Sequence, residues 1–342
     1  MRLNDFQFNL PPELIARYPL AKRSASRLLC INQSTEEFIH RQFSDMIDLV
    51  EPGDLLVFND TKVIPARLLG QKITGGLVEI LVERILDDQR ILAQVRVSKP
   101  PRQGDELIFA DGVRLEVLGR QLQFYELRYR GMDRTILNVI ETLGQIPLPP
   151  YMHRQAEDSD KERYQTVYAK YKGSVAAPTA GFHFDKELLS CLKNKQVEMS
   201  YLTLHIGAGT FAPVRVDDIR EHKMHAEYLD VSQELCDKVA AAKARGKRVI
   251  AVGTTSLRAL ESASQTGTTK PYHGDTSIFI YPGYSFRCVD ALFTNLHLPG
   301  STLLMLVAAF GGHAKMMRAY QEAVQQSYRF YSYGDAMWIE KA

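Results

Sequence analysis

The sequence predicts a mixed α/β (α+β) large domain that carries an inserted all-β, barrel-like domain. Three observations predict it. Between about residues 76 and 130, apolar and polar residues alternate at period two, the mark of half-buried strands. Elsewhere β-rich apolar runs feed helical patterns, as where KRVIAVG leads through Thr254, Thr255 and Ser256 into LRALESA. A proline-rich return with Pro147, Pro149 and Pro150 then separates the alternating region from the C-terminal half of the chain. The division read from this is a large catalytic domain, 1–70 with 140–342, and an insert, 71–139.

Composition sets the class. A chain of 342 residues, 45% hydrophobic and 24% charged, can bury a large core. Its net charge of +2 gives no global basic field, so any nucleic acid must be held by a local patch. Cys30, Cys191, Cys236 and Cys288 lie far apart, which reads as reduced thiols without a disulfide framework or zinc knuckle. The first residues lack an apolar signal core, and the longest apolar run, LLMLVAAF, falls well short of the ~20 residues that span a bilayer. A soluble, cytoplasmic protein without a membrane partner is expected.

Taken in chain order, the first cluster of interest is basic: Arg17, Lys22, Arg23 and Arg27, able to meet phosphates or simply to face water. FNDTKVIPARLLG then sets Asp60, Lys62 and Arg67 between apolar runs, lining a site or fixing a domain junction. In the insert, ILAQVRV, VRLEV and YELRYR read as strands, and Asp111-Gly112 reads as a two-residue hairpin turn because Gly tolerates positive φ. The charged EDSDKERYQ reads as an exposed loop.

Two low-bulk loops come next, each with one histidine: GSVAAPTAGFHF around His183 and LTLHIGAGTF around His205. Small residues permit close backbone approach, and a near-neutral imidazole suits proton transfer. Packed turns with satisfied histidines are the plain alternative. In REHKMHAEYL, the spacing of His222 and His225 would put two rings on one helical face, with Glu227 or a distant His as a third ligand; a solvated or helix-capping cluster, or Glu227 as partner for a cationic ligand, are the alternatives. KVAAAKARG reads as a helix stopped at Gly246. The strand–turn–helix unit at Thr254 and Thr255 offers free N–H groups to an anion, with Arg258 nearby or tied to Glu261 as a surface pair. HAKMMRAYQEAVQQSY is a further helix, and the aromatic run from Tyr328 to Trp338 fills a core or stacks on bases.

The blocks FNDTKVIPARLLG, RYQTVYA, VAAPTAGFHF, TLHIGAGTFAPVR, HKMHAE, RVIAVGTTSLRALE, IFIYPGY, TNLHLPGSTLLMLV and YRFYSYGDAM, in this order, resemble the S-adenosylmethionine:tRNA ribosyltransferase-isomerases of queuosine biosynthesis. The resemblance covers essentially the whole chain. It implies transfer of the ribosyl part of S-adenosylmethionine onto 7-aminomethyl-7-deazaguanine at the tRNA wobble position, giving epoxyqueuosine and releasing adenine and methionine. It also implies a large α/β domain with an inserted β-barrel. S-adenosylmethionine is then the donor substrate, tRNA the partner, no metal is expected, and a monomer is anticipated.

On that resemblance, His183 and His205 are candidates for proton transfer, with Asp60 and Glu227 as catalytic carboxylates. Thr179, Gly207, Thr254, Thr255 and Arg258 are candidates for holding S-adenosylmethionine, and Lys62, Arg67 and Arg27 for tRNA. The chain departs from the family pattern at Leu296 and Gly300, where Phe and Lys are usual, and at Phe182 and Asp185, where Leu and Thr are usual. Gly300 removes a cation from its motif, and Asp185 is expected to raise the pKa of His183. Two other classes compete: a non-catalytic tRNA-binding protein, and a metal-dependent hydrolase built on His222, His225 and Glu227.

Overall fold

The computed structural model describes residues 1–32, 34–35, 37–211 and 213–342, so position 212, inside the TLHIGAGTFAPVR block, lies outside the described residues. The chain begins with β1 (Arg27–Ile31), β2 (Phe38–Gln42), β3 (Leu55–Asn59) and β4 (Thr61–Val63). Six strands come after them: β5 (Arg67–Lys72), β6 (Leu77–Ile85), β7 (Arg90–Val97), β8 (Glu106–Ile108), β9 (Arg114–Gln121) and β10 (Phe124–Tyr129). After α1 (Ile136–Leu143) and α2 (Asp160–Arg163) come β11 (Tyr171–Ser174), α3 (Lys186–Asn194), β12 (Glu198–His205) and β13 (Glu227–Val231). The rest is α4 (Gln233–Ala244), β14 (Val249–Val252), α5 (Thr254–Ala263), β15 (Tyr272–Thr276), β16 (Ala291–Asn295), α6 (Thr302–Gly311), α7 (His313–Gln325) and β17 (Ala336–Glu340).

One 9-stranded sheet has the order β15-β13-β12-β3-β14-β16-β17-β1-β2. Its centre is parallel, β12 on β3, β3 on β14 and β14 on β16. Both faces of that centre are covered, which is why β3 reads as an unbroken apolar run. Leu55, Val57, Val249 and Ala251 face a core shared with α4, α5, α6 and α7. Leu56, Phe58, Ile250 and Val252 face the opposite core, with Leu188 and Leu192 of α3.

The connectivity makes a crevice. From β3 the chain returns through α3 to β12 on one side, whereas from β14 it passes through α5 to β16 on the other. Connections that part in opposite directions leave the carboxyl ends of β3 and β14 open to a ligand between them.

The strands β5 to β10 close into an antiparallel barrel of order β10-β7-β6-β5-β8-β9. Closure leaves no free edge, and Ile80, Val82, Ile91, Ala93, Leu115 and Leu127 fill the interior. Asp111 and Gly112 join β8 to β9 with φ of 55° and 70°, the conformation their residue types allow. The first barrel strand opens at Arg67, ahead of position 71, and α1 packs Ile136, Val139 and Ile140 onto the barrel core. The expected break between 139 and 140 therefore falls inside a helix.

Gly246 follows α4 with φ 68°, as a stop residue should. The charged segment after the prolines is not wholly exposed. Asp160 is buried and takes both guanidinium nitrogens of Arg154, at 2.6 and 2.7 Å, with Tyr333 Oη at 3.0 Å. Tyr328, Phe330, Tyr331, Tyr333 and Trp338 are core residues, the packing alternative for that aromatic run.

Candidate active site

A cavity of about 450 Å³ opens at the carboxyl ends of β14 and β16. That volume is in the range of pockets that enclose a nucleoside-sized molecule. Gly253, with φ 91°, turns the chain sharply from β14 into α5, so that Thr254 and Thr255 present the first turn of the helix to the cavity. Thr179 and Asn295 line it as well, their side chains 3.5 Å apart. The rings of Tyr151 and Tyr331 pack against each other at 4.0 Å between centroids on its wall.

Arg258, one turn into α5, donates through Nη1 to Glu227 at the start of β13. Their relative exposures are 5% and 6%, so this ion pair is held largely out of water. Arg258 Nη2 is buried and has no partner among the described residues. A guanidinium with an open donor, lining a cavity beside a helix N-terminus, is suited to a carboxylate. Arg258 is thus no surface ion pair with Glu261. The Glu261 carboxylate instead takes the backbone N–H groups of Arg287, Cys288 and Val289 at 3.0, 3.0 and 3.1 Å.

Gly207 touches the site through its backbone, its N–H lying 3.4 Å from Glu227 Oε1. Its lack of a side chain serves packing, since a Cβ there would collide with the carboxylate of Glu83 from the barrel. Glu83 also accepts the N–H of Ala208 at 2.7 Å. Burial, with the nearby charge of Glu227 adding to it, pushes its pKa up to about 7.

The two histidines of the small-residue loops lie outside this cavity. His183 is packed under Phe43, ring centroids 4.9 Å apart, and its Nδ1 is 2.6 Å from Ser26 Oγ. Burial pushes its pKa down to about 3 against the pull of Asn295, so the ring is neutral at neutral pH. Asp185 does not raise it. That carboxylate caps α3 through the Leu188 N–H at 2.9 Å and accepts from Ser24 Oγ at 2.7 Å.

His205 stands with Asp60 in a separate, open polar groove beside β12, with Tyr201, Tyr228 and Lys170. Its Nδ1 is 2.8 Å from Thr61 Oγ1, and burial lowers its pKa. Asp60 accepts from Thr203 Oγ1 at 2.7 Å, and burial raises its pKa. The structure therefore brings Glu227, Arg258, Thr179, Thr254 and Thr255 together, and Asp60 with His205, but does not join the two groups in one cavity.

The basic candidates are dispersed. Lys62 is half-buried on β4 beside β11. Arg67 pairs with Glu79 at 3.0 Å on the barrel. Arg27 lies over the ring of Tyr328, 3.7 Å from its centroid, and donates to Gln326 O at 2.7 Å. The His222–His225 spacing is not on a helix: His222 follows a short turn, Ile219–Glu221, and Glu227 is already on a strand. The two rings pack on different partners, Phe279 and Phe124. Among the described residues no group of three His, Cys, Asp or Glu side chains is placed to hold a metal.

A cavity histidine is absent from the candidates that the sequence suggests. His297 lines the cavity, with Nε2 2.8 Å from Thr294 Oγ1 and its backbone N–H donating to Tyr320 Oη at 3.0 Å. Burial pushes its pKa down to about 3. Its signal is present in the TNLHLPGST block, between the two substitutions at Leu296 and Gly300.

Residues 3–339 match the family described as queuosine biosynthesis protein. The chain belongs to this queuosine biosynthesis family. A solved structure with a like fold is the S-adenosylmethionine tRNA ribosyltransferase of Thermotoga maritima, 37% identical, with 98% of this chain and 99% of that chain covered and a TM-score of 0.57. The queuosine biosynthesis family member described here carries the large α/β sheet and closed barrel expected from its sequence blocks. None of its helices, among the described residues, is long and apolar enough to cross a membrane.

Proposed function

We propose that this chain transfers and isomerises the ribosyl moiety of S-adenosylmethionine onto 7-aminomethyl-7-deazaguanine at the wobble position of tRNA. The product is epoxyqueuosine-tRNA, and adenine and methionine leave. Family membership and the T. maritima structure support the reaction class. The observation that carries the assignment to this cavity is the open donor of Arg258 beside Glu227 at the start of α5.

S-adenosylmethionine carries a carboxylate, an ammonium and a sulfonium, and the cavity offers a group for each sign. Arg258 Nη2 and the N-terminus of α5, with Thr254 and Thr255, take the carboxylate. Glu227 and the faces of Tyr151 and Tyr331 favour the cationic centres. Thr179 and Asn295 supply neutral hydrogen-bonding groups on the cavity wall. The positive sulfonium acidifies the adjacent carbon, so the reaction needs a proton acceptor close by. We assign that role to His297, the imidazole on the cavity wall. His183, His205 and Asp60 then act outside the donor cavity.

The test is direct. The protein is incubated with S-adenosylmethionine and tRNA bearing the aminomethyl-deazaguanine, and the digested tRNA is analysed by mass for epoxyqueuosine alongside free adenine. Formation of both is expected. Binding of the substrate tRNA with neither product would overturn the proposal.

A further inference from the structure

Next to the donor cavity lies a second, open cleft whose lining is basic and includes Arg23, Arg163, Phe182, His183, Ser332 and Tyr333. The two guanidiniums in it are spoken for only by backbone carbonyls. Arg23 donates to Phe182 O at 3.4 Å and Glu162 O at 3.2 Å, both long bonds, and Arg163 to Leu20 O and Ala21 O. Among the described residues neither makes an ion pair, while Lys22, also at the cleft, is already matched by Glu187 at 3.2 Å. Arg163 Nε is buried with no partner among the described residues.

Like charges held together without a carboxylate between them are unfavourable. Burial, and after it the repulsion from Arg163, lowers the pKa of Arg23. Phe182 holds the Arg23 guanidinium in place, 5.7 Å from its ring centroid. An anion seated between the two arginines would relieve the repulsion and fill the open donor.

The location says which anion. Three segments line both spaces in adjacent positions: Arg163 faces the cleft and Tyr164 the cavity, Phe182 and His183 face the cleft and Thr179 and Ala180 the cavity, and Ser332 borders both. A phosphate bound in the cleft is therefore separated from the donor cavity by a single layer of residues. We propose that Arg23 and Arg163 form a receptor for one backbone phosphodiester of the substrate RNA, anchoring the strand whose modified base enters the neighbouring cavity. The inference rests on the tRNA reading given above. It places the RNA contact at Arg23 and Arg163, not at Lys62 and Arg67.

The experiment compares the full-length protein with Arg23→Gln, Arg163→Gln, the double variant, and Arg23→Lys. Affinity for the substrate tRNA is measured by filter binding over a series of salt concentrations, and affinity for S-adenosylmethionine by calorimetry without tRNA. The double variant should bind tRNA about tenfold or more weakly, as loss of charge-assisted hydrogen bonds implies. Its salt slope should fall by about 1, one phosphate fewer. Arg23→Lys should keep the slope, and S-adenosylmethionine affinity should stay unchanged throughout.

Unchanged tRNA affinity and slope in the double variant overturn the receptor while leaving the ribosyl-transfer reading intact. Wild-type protein that fails to bind tRNA sinks that reading instead. Should the double variant not fold, the wild-type His183 imidazole serves as reporter: its NMR signals should move on titration with inorganic phosphate, and with a dinucleotide at lower concentration. No movement with either refutes the receptor. A response to inorganic phosphate alone refutes its assignment to RNA.

Discussion

Arg258 on α5 and Glu227 on β13 are joined at the wall of the cavity at the carboxyl ends of β14 and β16, each nearly excluded from water. Truncating one partner of such a pair leaves an uncompensated buried charge, which typically costs about 3–5 kcal/mol. Arg258→Ala should therefore lower the unfolding free energy, measured by denaturant titration, by that order and also weaken S-adenosylmethionine binding. Adding Glu227→Gln should restore much of the stability but none of the binding. A loss in the double variant equal to the sum of the losses in Arg258→Ala and Glu227→Gln would show that the pair is not coupled.

His297 is buried, neutral and lines the cavity, with Thr294 fixing its Nε2. As proton acceptor it should contribute about 10²–10⁴-fold to turnover. His297→Ala should lower kcat by that range while S-adenosylmethionine affinity changes little. Thr294→Val, which frees the ring, should shift the acid limb of the pH–rate profile. Near-normal kcat for His297→Ala would remove the residue from the chemistry.

The fold was legible where a local signal suffices. Alternation in β7, β9 and β10 marked the barrel, and the apolar run of β14 followed by Thr254 marked the strand–turn–helix unit of the site. Residue type and position singled out Arg258 and Glu227 separately, but their mutual contact, 31 positions apart, was not legible. Which side of a loop faces which space has no local signal. His205 and Ile206 are neighbours in sequence, yet one lines the groove of Asp60 and the other the donor cavity. His183 and His297 have the same residue type and similar burial, and only the tertiary fold decides that one borders the cleft at Arg23 and the other the cavity.

The two small-residue loops do meet, at Gly173 and His205. Gly173 has φ 151°, and a Cβ on it would lie 2.8 Å from His205 Nε2. Gly173→Ala should push the ring off Thr61 and destabilise the protein by about 1–3 kcal/mol, the range for overpacking. Adding His205→Ala should recover only part of that loss, because it removes the obstructing ring but leaves the side chain on a positive-φ backbone. A double variant no more stable than Gly173→Ala would place the strain in the backbone instead.

Glu83 gives a pH dependence with a definite sign. Its pKa, ordinarily 4.5, is pushed up to about 7 by burial, against the Ala208 N–H and with the charge of Glu227 nearby. Between those values the folded chain keeps a proton that the unfolded chain has released, so this group's contribution to stability falls as pH rises through the window. The full effect is on the order of 3 kcal/mol. His183 and His297, held neutral by burial to about pH 3, act oppositely: their contribution is lost as pH falls below 6.5. Those terms cancel when wild type is compared with Glu83→Gln, which cannot ionise. The variant should therefore gain in melting temperature relative to wild type as pH is raised from 4.5 to 7.5. Parallel melting profiles across that interval would show that Glu83 titrates like an exposed carboxylate.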